Sequence, residues 1–194
     1  MKKILVVDDT KNIRTLLKTC LELNGYEVYT TASSEDALTI LRGTQIDLAF
    51  LDIKMPKVSG TELLRKMRNL GISTPVIIMT AFATIKNAVD CTKLGAVAYI
   101  QKPFTANKVK TILDEVWESI QNKESEIEKN LKLAEDLIKI NKLEEALILL
   151  KKSLALNPSC STTYNLMGKI YELKKDFQKA ETFFSVANEF KDLK

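Results

Sequence analysis

Lys3-Ile4-Leu5-Val6-Val7-Asp8-Asp9-Thr10 decides the fold: an apolar run of strand length stops on two carboxylates and a hydroxyl. Three further runs end the same way. Asp47-Leu48-Ala49-Phe50-Leu51 leads to Asp52, Pro75-Val76-Ile77-Ile78-Met79 to Thr80, and Val97-Ala98-Tyr99-Ile100-Gln101 to Lys102-Pro103. In a parallel α/β sheet, ligands gather outside the carboxyl ends of the strands. Such a sheet would bring three carboxylates, a hydroxyl and an ammonium to one edge. That set suits a divalent cation and a phosphoryl group.

The rest of residues 1–121 supports a sheet of this kind. Strand candidates at 3–8, 26–31, 47–52, 75–80 and 97–101 alternate with amphipathic stretches near 11–23, 34–42, 60–70, 84–94 and 105–121. Ile13, Leu16, Leu17, Cys20, Leu21 and Leu23 give the first helix its apolar face. Ser33 or Ser34 is the expected N-cap of the second helix, with Glu35 and Asp36 in its first turn. Gly25, Gly43, Gly71 and Gly95 are expected at helix C-termini in the left-handed region. Five consecutive βα units predict an α/β, doubly wound (flavodoxin-like) sheet of five parallel strands in the order 2-1-3-4-5.

Composition excludes several classes. The chain has no histidine, which removes Ser-His-Asp and Cys-His catalysis, His-ligated metals and phosphohistidine formation within it. Cys20, Cys91 and Cys160 are an odd, widely spaced trio and read as reduced thiols of a cytoplasmic protein. No apolar stretch approaches the length of a membrane span, and no signal-peptide pattern opens the chain. The net charge is +4; residues 1–121 carry 16 basic and 13 acidic side chains, and the remainder 13 and 12. Neither part is basic enough to point to a nucleic-acid partner.

After Phe104 there is no Gly or Pro until Pro158, and residues 122–126 fall in a wholly polar stretch that reads as a helical linker. A second organisation then begins. Residues 127–160 and 161–194 align with a period of 34: Leu133-Ala134 with Met167-Gly168, Leu137 with Tyr171, Leu143 with Phe177, Ala146 with Ala180, Leu150 with Phe184, and Ser153 with Ala187. Small residues recur where hairpin helices cross closely, and large ones where hairpins stack. This all-α helical-repeat C-terminal region resembles tetratricopeptide repeats. The two repeats are expected to bind a protein or to dimerise the chain. Glu128, Leu131, Glu135 and Ile138, with Thr162, Asn165, Lys169 and Glu172, are the inner-face candidates.

Each polar strand end has an ordinary reading: Asp9 or Thr10 could cap a helix, and Asp52 could form a turn. Jointly with Thr80 and Lys102 they form a site, and residues 1–121 resemble the receiver domain of bacterial two-component response regulators. The resemblance implies that Asp52 is the phosphoacceptor. It makes Asp9 and Asp52 direct Mg²⁺ ligands together with the Lys54 carbonyl, while Asp8 acts largely through water. It assigns Thr80 and Lys102 to the phosphoryl oxygens, Thr80 and Tyr99 to the conformational switch, and a cis bond to Lys102-Pro103. Met55-Pro56 and Gly60 fit the loop after the acceptor.

The implied donor is a sensor histidine kinase or a phosphotransfer protein. The chain is expected to be no enzyme beyond assisting its own phosphorylation and dephosphorylation. Lys54 and Phe82, two residues after Asp52 and Thr80, cannot orient a water as an acid or amide would, so slow self-dephosphorylation is expected. The signal is expected to leave through residues 84–121, where Val109, Ile112, Leu113, Val116 and Trp117 include core positions and Lys108, Lys110 and Asp114 could pair across a dimer. Two other outputs compete: a DNA-binding transcriptional response regulator, which would need a helix-turn-helix, and a phosphorelay intermediate.

Overall fold

The computed structural model describes residues 1–81 and 85–192. Five strands, β1 (Lys3–Val7), β2 (Glu27–Thr31), β3 (Leu48–Asp52), β4 (Val76–Thr80) and β5 (Ala96–Gln101), form one sheet in the order β2-β1-β3-β4-β5. Every neighbouring pair is parallel. All five strands therefore finish at the same edge. Helices α1 (Lys11–Leu23), α2 (Ser34–Gly43), α3 (Gly60–Asn69) and α4 (Ile85–Lys93) connect them. The central strands β3 and β4 are buried at every position, which is why their sequences are unbroken apolar runs. The outer strand β5 instead alternates, with Val97, Tyr99 and Gln101 exposed.

The N-caps of α2 and α3 follow local rules, and the end of α2 departs from them. Ser33 caps α2 by accepting from the Asp36 amide at 3.1 Å, and Ser59 caps α3 by accepting from the Glu62 amide at 3.2 Å. Gly25, Gly71 and Gly95 take positive φ, as expected. Gly43 does not. It is the last helical residue of α2, and the chain leaves through Thr44 in an extended conformation, so no left-handed residue is needed.

Two compact units divide the chain, Met1–Val116 and Trp117–Lys194. Helix α5 (Ala106–Lys139) runs across that boundary, and residues 122–126 are helical and exposed within it. Val109, Ile112, Leu113 and Val116 on α5 are buried.

In the second unit, the later part of α5 is followed by α6 (Leu143–Leu156), α7 (Ser161–Leu173) and α8 (Phe177–Asp192). The 34-residue period is visible in the backbone. Asn141 and Lys175 both take positive φ, 61° and 62°. The turns close with the same bonds: Lys142 N–H to Leu137 O and Asp176 N–H to Tyr171 O, each at 2.9 Å. Ala134, Ala146, Leu147, Leu150, Leu166, Met167 and Ile170 form the core. Three alignment positions differ in burial: Phe177 is 67% exposed although its counterpart Leu143 packs on the core, Leu133 is exposed although Met167 is buried, and Phe184 is half-buried although Leu150 is fully buried. Leu131 and Ile138 pack against that core rather than lining a free inner surface. Among the other inner-face candidates, Asn165 is half-buried and Glu128, Glu135, Thr162, Lys169 and Glu172 are exposed.

Candidate functional site

The parallel register sets the site. Asp8 and Asp9 follow β1, Asp52 and Thr80 are the last residues of β3 and β4, and Lys102 is the first residue past β5. Backbone bonds continue the ladders beyond the strands. The Asp8 amide donates to Thr31 O at 3.2 Å, Ile53 to Met79 O at 3.0 Å, and Lys102 to Thr80 O at 2.7 Å. Side chains that leave from these positions meet at one edge.

Lys102 Nζ lies 2.7 Å from Asp8 Oδ2 and 3.0 Å from Asp52 Oδ2. The other oxygen of Asp8 is also engaged, accepting from the Thr10 amide at 2.9 Å. Asp8 is fully buried and Asp52 nearly so, whereas Asp9 is exposed. Each of the three aspartates offers a carboxylate oxygen within 4.8 Å of the others'. Burial pushes the Asp52 carboxyl above the ordinary carboxylate range; the Lys102 hydrogen bond and charge oppose this, the Asp8 charge adds to it, and a bond from the Lys54 amide lowers it. One ammonium serves two carboxylates here, so the cluster retains net negative charge. The donor set is all oxygen and partly accessible through Asp9, which fits a hard divalent cation such as Mg²⁺.

Thr80 is buried at the end of β4, and its carbonyl holds the Lys102 amide. The Lys102–Pro103 bond is cis. Lys54 contributes its amide to Asp52, and its side chain is exposed. Tyr99 is on β5 opposite Ile78, half-exposed and three residues before Lys102. Phe82 lies outside the described residues. Gly60 is required by contact: a Cβ there would stand 2.0 Å from the Asp52 carbonyl oxygen. The loop between Asp52 and Gly60 also holds Lys57 at a φ of 66°, which only a few non-glycine residues adopt.

Two arginines escaped the sequence reading. Arg14 Nη1 donates to Asp8 O at 2.6 Å and to Asp9 O at 2.9 Å. Its one sequence signal is position: helix side chains lean toward the N-terminus, so a long donor in the first turns of α1 reaches back over the end of β1. Arg68, on α3, donates to the carbonyls of Ile72, Thr74, Leu94 and Gly95. Carbonyl acceptors carry no residue signature, so neither partnership could be read from composition or spacing.

A doubly wound parallel sheet with a lysine-bridged acidic cluster at its carboxyl edge defines a flavodoxin-like α/β domain with a candidate cation and phosphoryl site. Residues 4–114 match the family described as response regulator receiver domain, and the chain belongs to that family. Residues 73–194 match a second profile, the tetratricopeptide repeat protein 21 C-terminal ARM domain. Its first part overlies β4, α4 and β5, and its remainder coincides with the all-helical α5–α8.

The regulatory protein AtoC of Escherichia coli is 35% identical over 113 residues, 58% of this chain and 24% of that protein. The chain spans less than half the length of the curated relatives it matches. Among solved structures, a CheY-like receiver domain protein of Methanospirillum hungatei is 35% identical, with a TM-score of 0.58, covering 63% of this chain and 98% of that one. TrrA of Thermotoga maritima, in complex with Mg²⁺-BeF, is 35% identical with a TM-score of 0.54, covering 60% and 99%. No helix among the described residues is long and apolar enough to cross a membrane.

Proposed function

We propose that the chain is a phosphorylation-controlled adaptor in which Asp52 accepts a phosphoryl group and residues 127–194 present the output surface. The observation that carries this reading is Lys102 Nζ bridging Asp8 and Asp52 beside Asp9 and Thr80. The phosphoryl donor is a phosphohistidine on a sensor kinase or phosphotransfer protein, since this chain has no histidine.

Phosphoryl transfer asks a protein chiefly for alignment and for neutralisation of charge on the phosphoryl oxygens. One Asp52 carboxylate oxygen bonds to phosphorus as the donor's P–N bond breaks. Lys102, already seated against Asp52, turns its ammonium to the transferred oxygens, and the Thr80 hydroxyl donates to another. Asp9, Asp52 and the Lys54 carbonyl would hold Mg²⁺, with Asp8 acting through water; the ion would supply further positive charge to those oxygens. Burial of Asp52 excludes bulk water from the acyl phosphate, and the exposed Lys54 side chain offers no base to activate one. Thr80 and Tyr99 form the switch on β4 and β5, and the receiver ends in the helix that leads into the repeats.

A DNA-reading output is the second reading, favoured by relatives such as the alkaline phosphatase synthesis transcriptional regulatory protein PhoP of Bacillus subtilis. That match covers 108 residues, 56% of this chain and 45% of that protein. The near-neutral charge of residues 122–194 and the repeat favour a protein partner instead.

Acetyl phosphate with Mg²⁺ should add one phosphoryl mass to the chain and none to Asp52→Ala. Equal labelling of Asp52→Ala would remove the assignment. A mobility shift of promoter DNA by the beryllofluoride-treated chain would favour the second reading.

A further inference from the structure

Arg14 holds three successive carbonyls. Its amide donates to Thr10 O at 3.2 Å, and its Nη1 donates to Asp8 O at 2.6 Å and Asp9 O at 2.9 Å. These are the peptide units at which the chain leaves β1 and enters α1. They lie past the last β1–β2 and β1–β3 register pairs, at Val7, and past the Asp8 N–H to Thr31 O bond that closes the ladder. Thr10, the N-cap residue, makes no side-chain cap bond to assist. The direction in which the two aspartates leave the backbone follows from the orientation of these peptide planes. Asp8 has a second restraint in Thr10 N–H and Lys102, whereas among the described residues the Asp9 carboxylate has a 3.4 Å contact from the Thr10 hydroxyl.

We propose that Arg14 is a positioning residue for the acidic pair: by bonding the carbonyls of Asp8 and Asp9 it sets the geometry in which they receive a divalent cation. This inference rests on the functional reading above. Arg14 makes no contact with a phosphoryl group in this role. Its effect is on cation affinity, and the phosphoryl chemistry at Asp52 is left intact once the cation is bound. Groups that orient metal ligands from behind typically change affinity by ~10–100-fold when removed.

The test is calorimetric titration of Mg²⁺ into the full chain, paired with the Mg²⁺ dependence of acetyl phosphate labelling. Arg14→Met is expected to weaken Mg²⁺ binding by ~10-fold or more. The Mg²⁺ needed for half-maximal labelling should rise equally, while the rate at saturating Mg²⁺ stays within ~2-fold. Arg14→Lys, which keeps a charged donor, should recover part of the affinity. A purely structural role would lower the melting temperature of the metal-free protein and leave both Mg²⁺ midpoints unmoved, which would overturn the proposal. If Arg14→Met does not fold, Arg14→Gln decides by the same criterion. A wild-type chain that neither binds Mg²⁺ nor labels at Asp52 would instead overturn the functional reading, and this inference with it.

Discussion

Lys102 Nζ stands 2.7 Å from Asp8 Oδ2 across 94 residues of sequence, because β5 and β1 finish at the same edge of a parallel sheet. The same ammonium reaches Asp52 at 3.0 Å. Removing it leaves two buried carboxylates facing each other, and loss of one partner from a buried ion pair costs about 3–5 kcal/mol. Lys102→Met should therefore unfold well below the wild type at neutral pH, and thermal melts followed by circular dichroism will measure it.

Asp52 carries the pH dependence. Its carboxyl is raised, by burial first, so the native state holds this proton more tightly than the unfolded chain. Between the ordinary value of 3.8 and the raised one the native state binds more protons, and stability falls as pH rises. Above the raised value the full cost is present. Asp52→Asn should raise the melting temperature at pH 7 in metal-free buffer, with the gain vanishing below the ordinary carboxylate range. A gain that persists undiminished at pH 3 would contradict this origin.

Gly60 packs against the end of β3, where no side chain would fit. A Cβ at 2.0 Å from the Asp52 carbonyl oxygen can be relieved only by moving backbone, not a side chain. Gly60→Ala should cost roughly 1–3 kcal/mol and displace Asp52, so labelling by acetyl phosphate should fall even where the protein remains folded. Mass spectrometry of the labelled chain, alongside a denaturant melt, separates the two effects.

In the second unit, Gly168 and Phe184 are a matched pair. A Cβ on Gly168 would lie 2.6 Å from the Phe184 ring. The equivalent positions one period earlier are Ala134 and Leu150, a larger small residue with a smaller large one, and both are fully buried. Gly168→Ala should destabilise by ~1–3 kcal/mol. Adding Phe184→Leu recreates the first pair and should recover part of that loss, so a double-mutant cycle should show a coupling of ~1 kcal/mol or more. Additive effects would mean the two residues do not constrain each other.

Arg68 satisfies its guanidinium with backbone carbonyls from the loop after α3 and the turn after α4. Five planar donors match acceptors on two segments, a geometry that a single ammonium cannot reproduce. Arg68→Lys should cost ~1–3 kcal/mol from carbonyls left without a donor. Hydrogen exchange should then speed up around residues 72–74 and 94–96. Unchanged exchange there would show that water replaces the guanidinium without loss.

The sequence by itself determined the five βα units, their order, the polar residues at the strand ends and the 34-residue period. Each is a local or periodic signal: an apolar run, a helical face, a small residue at a fixed spacing. Only the tertiary structure decided that Lys102 would serve both Asp8 and Asp52, that Tyr99 would stand half-exposed, that Gly43 would stay helical, and that Leu131 and Ile138 would pack against a core. It also recruited Arg14 and Arg68. Their partners are main-chain carbonyls, which every residue possesses, so the choice among them is made by where the folded backbone runs.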